Sequence, residues 1–271
     1  MKVKEIPVSI YHTFKLKSLN AKDLQILRKY HLPVIISLTS IPSRLHKVHI
    51  TIRSILHQSK QAKKVILWLN ENDKNHIPKS LEILLGNTFE IRYTPLTCSH
   101  KKLIHTLELF PDDIIVTCDD DFIYNYHWLE KIYQQHLNHP KAIIGNFTRQ
   151  IQYDADSNLL DYKKWRHHNP ENKKTILAIG AEGILYPPKS LSPIATDINL
   201  ALELAPKADD LWFKAMALLQ GTEVFQATDK PKGLIPIFGT QKVSLKKENI
   251  DKNKNLVQWK ALTDHFKLDL K

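Results

Sequence analysis

The sequence predicts an α/β fold in which a mostly parallel central sheet carries helices on both faces. Two observations predict it. Continuous apolar runs without polar alternation, at residues 33–38 (PVIISL), 65–69 (VILWL) and 114–118 (IIVTC), mark strands buried on both sides. Between them lie segments whose apolar residues fall at helical spacing, and repeated strand–helix–strand order favours a parallel sheet. The chain has 271 residues, 42% hydrophobic and 25% charged, which suits one domain with a sizeable core.

The elements follow in order. Residues 33–38 end in the polar turn Thr39-Ser40-Ile41-Pro42-Ser43. From 44 to 58, Leu45, Val48, Ile52, Ile55 and Leu56 share a helical face. The second strand stops at Asn70-Glu71-Asn72-Asp73, and Pro78 and Gly86 bracket a short helix. Residues 89–93 form a third strand and 101–110 a third helix. Pro111-Asp112 then punctuates before the fourth strand, which runs into Asp119-Asp120-Asp121. Residues 147–175 are polar, aromatic and basic and show no period. Residues 184–186 form a strand closed by Pro187-Pro188, and 209–219 a helix with Leu211, Ala215, Leu218 and Leu219 on one face. Leu256, Trp259, Leu262 and Phe266 mark an amphipathic helix in the lysine-rich C-terminal segment. No repeat or linker divides the chain, so 1–271 is read as a single domain. Its parts are a first half of about 30–125, a second half of about 126–240 and a basic segment at 241–271.

Composition narrows the chemistry. Lys and Arg number 39 against 28 Asp and Glu, a net charge of +11, which suits phosphorylated substrates, anionic lipid or nucleic acid. Only 7 glycines are present, against any fold built on a glycine-rich phosphate loop. Cys98 and Cys118 lack metal spacing and read as free thiols of a reducing compartment. The N-terminus lacks the apolar run of a signal peptide, and no segment is long enough to span a bilayer. The expectation is a cytoplasmic protein, with its basic, amphipathic C-terminal segment as a docking surface for the anionic inner face of the cytoplasmic membrane. Packing of Trp259 and Phe266 onto the core is the competing expectation.

In open parallel sheets, ligands bind beyond the carboxyl ends of the strands, and the turns at Thr39, Asn70 and Asp119 all lie there. Three adjacent carboxylates repel one another unless a cation or several donors compensate. Alternation along the strand lets Asp119 and Asp121 face one ligand while Asp120 points elsewhere. Two carboxylates suit Mg²⁺ or Mn²⁺, which completes its shell with water and phosphate. The competing reading is an acidic cap on the helix near residues 126–137. Asp209-Asp210 opens the helix that includes Trp212. One of the pair is expected to cap that helix, and the other to serve as general base. A single base opposite a metal-held diphosphate implies one-step displacement with inversion at the sugar carbon. Lys102 is placed to reach a diphosphate, with Lys101 beside it, and Arg44 is fixed beside the crevice by its turn. The 14 histidines show no metal spacing, and none is assigned to the ion.

The blocks VIISLTSIPSRL, SILHQS, KVILWLNE, HKKLIHTLELFPDDIIVTCDDDFIY, GAEGILYPP and ADDLWFKAM, spread over about residues 33–221, together resemble bacterial GT-A-fold glycosyltransferases of capsule and lipopolysaccharide biosynthesis. The resemblance implies a GT-A-like sheet with a Rossmann-like nucleotide-binding half followed by an acceptor-binding half. It implies nucleotide-sugar contacts from Thr39, Ser40, Arg44, Asn70, Glu71 and Lys102, and from Asp119 and Asp120 of the triad. Asp121, with Asp119, would hold the metal. Asp210, with Asp209 as neighbour, would be the catalytic base. Gly183 would lie under the donor sugar, while Glu182 and Trp212 would contact the acceptor. The donor is expected to be a UDP-sugar and the acceptor a glycan or lipid-linked sugar, with no nucleic acid as partner. A dinucleotide oxidoreductase would need GxGxxG, and a nucleotide-sugar pyrophosphorylase a glycine-rich N-terminal loop; both are absent. An aspartyl-phosphate phosphatase would need a small residue and Thr where Phe122-Ile123 stand. A non-catalytic basic module explains the charge and leaves the triad without a purpose.

Overall fold

Strands form where the apolar run is unbroken by charge, and helices form where apolar residues recur on one side. A computed structural model describes residues 3–166, 172–231, 234–240 and 253–270. The chain begins with helices α1 (Ile6–Ser18) and α2 (Ala21–Gln25), then β1 (Leu32–Thr39), α3 (Leu45–Leu56), β2 (Ala62–Asn70), α4 (Lys79–Glu82) and β3 (Phe89–Thr94). It continues through α5 (Lys101–Leu109), β4 (Ile114–Thr117), β5 (Phe122–Ile123), α6 (Trp128–Asn138), β6 (Ile143–Gly145) and β7 (Thr148–Gln150). The remainder comprises β8 (Ile176–Ala178), β9 (Ile184–Tyr186), α7 (Ile198–Leu204), α8 (Asp209–Gln220), β10 (Val224–Gln226), β11 (Ile235–Pro236) and α9 (Lys254–Phe266).

Seven strands form the central sheet in the order β10-β6-β9-β4-β1-β2-β3. Every pairing is parallel except those of β9, which runs antiparallel to both β4 and β6. The fold is therefore α/β with a mostly parallel sheet, as the sequence predicts. Alternate residues divide between two cores. Ile115, Ile143, Ile184 and Tyr186 pack with α8 and α9 on one face. Val116, Ile144 and Leu185 pack with α3 and α6 on the other. Both faces are covered, and for that reason the strands read as unbroken apolar runs.

The predicted strands and helices fall where expected, most boundaries within two residues, but β2 begins three residues early at Ala62 and α4 ends at Glu82, well short of Gly86. Four strands of the outer half carry no usable period, because β6, β7, β8 and β10 each span only three residues. Cys118 is buried and free, and Cys98 is half-buried and free.

Of the two expectations for the C-terminal segment, packing on the core describes α9. Trp259 and Leu262 of α9 are wholly buried in the core beneath α8, and Phe266 packs on Trp212 with ring centroids 6.1 Å apart. The apolar side of this helix is consumed by packing, with Val257 left exposed. The lysine-rich run at 241–252 lies outside the described residues. Among the described residues, no helix is long and apolar enough to cross a membrane.

Candidate active site

The carboxyl ends of β1 and β4 lie side by side, because the two strands pair in parallel from Val34↔Ile114 to Ser37↔Thr117. Helix α5 returns from β3 to β4, so its first turn, with Lys102, stands at this same edge. A buried chain of charges assembles there. Arg44 grips two aspartates, with Nη1 2.6 Å from Asp120 Oδ1 and Nη2 3.1 Å from Asp121 Oδ2. Ser40 Oγ donates to Asp120 Oδ2 at 2.5 Å, and Thr51 Oγ1 donates to the Asp120 carbonyl at 2.8 Å. Lys102, whose side chain is only 7% exposed, places Nζ 3.2 Å from Asp119 Oδ1 and 3.2 Å from Asp209 Oδ2. The amide of Gly180 donates to both oxygens of Asp210, at 3.2 and 3.3 Å.

The triad is therefore divided differently from strict strand alternation. Asp119 faces Lys102, whereas Asp120 and Asp121 share Arg44. The physical reason is that β4 ends at Thr117 and the chain turns at Asp120-Asp121, so the two-residue period no longer applies. The triad does not cap a helix: α6 opens at His127 with no side-chain cap. Neither member of the second pair caps α8, which opens at Ala208 without a side-chain cap. Asp209 and Asp210 instead occupy the first helical turn, where negative charge is favoured by the exposed backbone N–H groups.

The charges set one another's protonation. Burial works against the Lys102 ammonium, but Asp209, Asp119 and Asp210 outweigh it and hold its pKa well above the usual lysine value. Burial also works against the Asp209 carboxylate, and Lys102 more than offsets it, so Asp209 stays ionised. For Asp210, burial and then the Asp209 charge push the carboxyl well above its ordinary range, against the pull of Lys102. Two adjacent carboxyls thus hold contrasting proton affinities, an arrangement that separates a structural counter-ion from a proton acceptor.

Two further residues of this network stand out only in the structure. Gly180 sits where an added Cβ would stand 3.2 Å from Asp210 Oδ1 and 3.4 Å from Lys102 Nζ, so the missing side chain keeps the amide against Asp210. Tyr124 accepts the Asp119 amide N–H at 2.9 Å and donates to the Ala181 carbonyl at 3.0 Å, tying the triad to the turn at Gly180–Glu182. A glycine in so glycine-poor a chain was the one available hint for the first. An aromatic after an acidic run gives none for the second.

Other expected residues take more local parts. Thr39 Oγ1 donates to the Trp68 carbonyl at 2.8 Å. Asn70 Oδ1 accepts the Asn72 amide at 3.0 Å while its Nδ2 donates to the Pro95 carbonyl at 2.9 Å, which fixes the loop after β2 against the loop after β3. Glu71 is exposed in that loop. Glu182 Oε2 pairs with Lys230 Nζ at 2.9 Å. Trp212 is withdrawn from the acceptor surface: it is wholly buried, with Nε1 donating to the Ala195 carbonyl at 3.0 Å. An aromatic on the first turn of an acidic helix belongs here to the inward side of that helix.

Gly183 adopts φ +104°, and a Cβ there would lie 2.6 Å from Trp128 Cζ2. Both the left-handed backbone and the indole demand glycine. Gly183→Ala is expected to cost about 1–3 kcal/mol of stability, read as a lower urea midpoint with unchanged slope.

The donor set fits a hard divalent cation in kind, because Asp119 and Asp121 supply carboxylate oxygens at the mouth of the sheet. Among the described residues, no three His, Cys, Asp or Glu side chains converge as a complete ligand set. An ion here would take its remaining positions from water and substrate phosphate, as Mg²⁺ commonly does. No protein-family model matches the chain, and no curated protein matches it.

Proposed function

We propose that this protein is a metal-dependent, inverting glycosyltransferase of the GT-A kind, which moves a sugar from a nucleotide donor, a UDP-sugar, to a glycan or lipid-linked acceptor of surface polysaccharide synthesis. The observation that supports it best is the buried Lys102, which joins the aspartate triad to the Asp209-Asp210 pair at the carboxyl edge of the sheet. A triad alone fits several uses. A triad tied to a second carboxyl of high proton affinity fits group transfer from a diphosphate to a hydroxyl.

In this reading Asp121 and Asp119 would hold Mn²⁺ or Mg²⁺, which when bound neutralises charge on the leaving diphosphate. Asp120 stays with Ser40 and Arg44 and fixes the turn. Asp210 takes the proton of the acceptor hydroxyl as that oxygen attacks the sugar carbon, while the diphosphate leaves from the opposite side. The Gly180 amide holds Asp210 in place, burial and the Asp209 charge raise its proton affinity, and Lys102 pulls the other way.

A thermal-shift screen of nucleotide sugars tests the reading. One donor class is expected to raise Tm only with Mn²⁺ present, since a ligand at a hundredfold its Kd adds about 2.7 kcal/mol. Asp121→Ala is expected to remove the metal-dependent part of that shift. If a broad panel is neither bound nor hydrolysed with Mn²⁺, the proposal fails. Polyanion binding that needs no metal and survives Asp121→Ala would assign the basic surface to a non-catalytic module instead.

A further inference from the structure

Helix α1 is built inside out. Ser9 and Leu16 are buried, whereas Tyr11 is 64% and Phe14 69% exposed, and Ile10 and Val8 are exposed beside them. Positions 7, 11 and 14 lie on one helical stripe, so Pro7, Tyr11 and Phe14 form an outward apolar ridge. Phe238 stands across a cleft from Phe14, with its amide donating to Ser9 Oγ at 3.0 Å and its ring half exposed. The ridge is held rigidly, because Arg53 Nη1 donates to the Leu16 and Leu19 carbonyls at 3.2 and 2.8 Å and pins the end of α1 to α3.

Cations flank it on both sides. A cleft of about 260 Å³ between Phe14 and Phe238 includes Lys17 and also Lys47, whose Nζ donates to the Phe238 carbonyl at 2.6 Å. A second cleft, of about 580 Å³ on the other flank, includes Lys4 and Lys15, with Glu5 the one acidic residue in its lining. An exposed apolar ridge of this kind marks an interaction surface. A second copy of the chain is disfavoured as its partner, since a two-fold contact would set these lysines against each other in a chain already at +11.

We propose that this face rests on an anionic phospholipid surface, with Tyr11, Phe14 and Phe238 entering the headgroup boundary and the lysines pairing with lipid phosphates. The surface adjoins the candidate site. The Ile237 amide donates to the Asp121 carbonyl at 2.9 Å, and Phe238 is the next residue along the chain. On the transferase reading, an acceptor carried by lipid would arrive beside the triad; the membrane contact itself does not depend on that reading.

Cosedimentation of the full chain with vesicles tests it. Binding is expected to phosphatidylcholine vesicles doped with phosphatidylglycerol and not to pure phosphatidylcholine, and to weaken as salt rises. Tyr11→Ser with Phe14→Ser is expected to lower partitioning about tenfold or more. Lys15→Gln and Lys17→Gln are expected to lower it about fivefold each. Leu137→Ser, at an exposed apolar site on α6 away from this face, should bind as the parent does, and each variant should keep the parental Tm. Equal binding to neutral and anionic vesicles, no binding to either, or parental binding by the double aromatic variant would overturn the proposal. So would a dimer that the double aromatic variant dissolves while vesicles go unbound. None of these readouts uses transfer activity, so failure of the transferase reading leaves them distinct.

Discussion

On the transferase reading, Asp210→Asn is expected to slow sugar transfer about a thousandfold while leaving metal-dependent donor binding near the parental level. Positioned proton transfer contributes about 10²–10⁴-fold, and the amide keeps the shape and the bond from Gly180 while losing the ability to accept a proton. The pH profile separates this loss from simple damage. Burial and Asp209 raise the Asp210 carboxyl, and a base works only when deprotonated. The parental kcat/KM should therefore climb with pH through the raised value, several units above an ordinary aspartate limb, and the variant should lose that limb. Stability should move the opposite way. A folded-state pKa above the unfolded one means that the native state binds the extra proton, so this group's contribution falls as pH rises from the ordinary aspartate range through the raised value. Initial rates and urea midpoints across the same buffers read both trends. A parental acid limb retained in Asp210→Asn would remove the residue from the role of base.

Lys102→Met is expected to cost about 3–5 kcal/mol of folding stability, the usual price of leaving one partner of a buried ion pair behind. The side chain is nearly enclosed and is shared by Asp119 and Asp209, so its loss strands Asp209 against Asp210 with no counter-charge. The pH dependence has a defined sign. Asp209 is held below its unfolded value by Lys102, so the pair's contribution is complete above the ordinary aspartate pKa and is lost as pH falls through the depressed one. The gap between parent and variant should therefore narrow in acid. Adding Asp209→Asn to Lys102→Met should recover part of the loss, and a double-mutant cycle measures how much. If the two substitutions prove additive, Lys102 and Asp209 do not act as a unit.

The parts of this molecule that could be read from sequence are those whose physics is local or two-sided. β1, β2 and β4 are buried on both faces and so spell continuous apolar runs. Arg44 was found because Pro42 and Ser43 force a turn at a strand end, and the acidic pair because two carboxyls open a helix. The unreadable parts depend on distant partners. Nothing near Gly180 announces that its amide meets Asp210, thirty residues on. The division of the triad depends on where β4 stops and on an arginine 76 positions earlier. Trp212 looked available because its neighbours are acidic, yet the inward side of α8 was decided by α9 and Ala195. Helix α1 escaped detection because its apolar residues point outward, the reverse of the pattern by which core helices are recognised.

The antiparallel strand β9 has a kinetic consequence. It fills the place between β4 and β6, so Ile115 meets Tyr186 and Ile144 meets Leu185 only after the intervening chain has looped out and come back. Such closures are entropically slow and dominate the search for the native topology. Because Gly180 and Gly183 lie just ahead of β9, the step that seats this strand also brings the amide to Asp210 and the tight backbone under Trp128. Assembly of the middle of the sheet and formation of the candidate site are then one event, so a chain in which β9 is not yet seated is expected to lack the contact between Gly180 and Asp210.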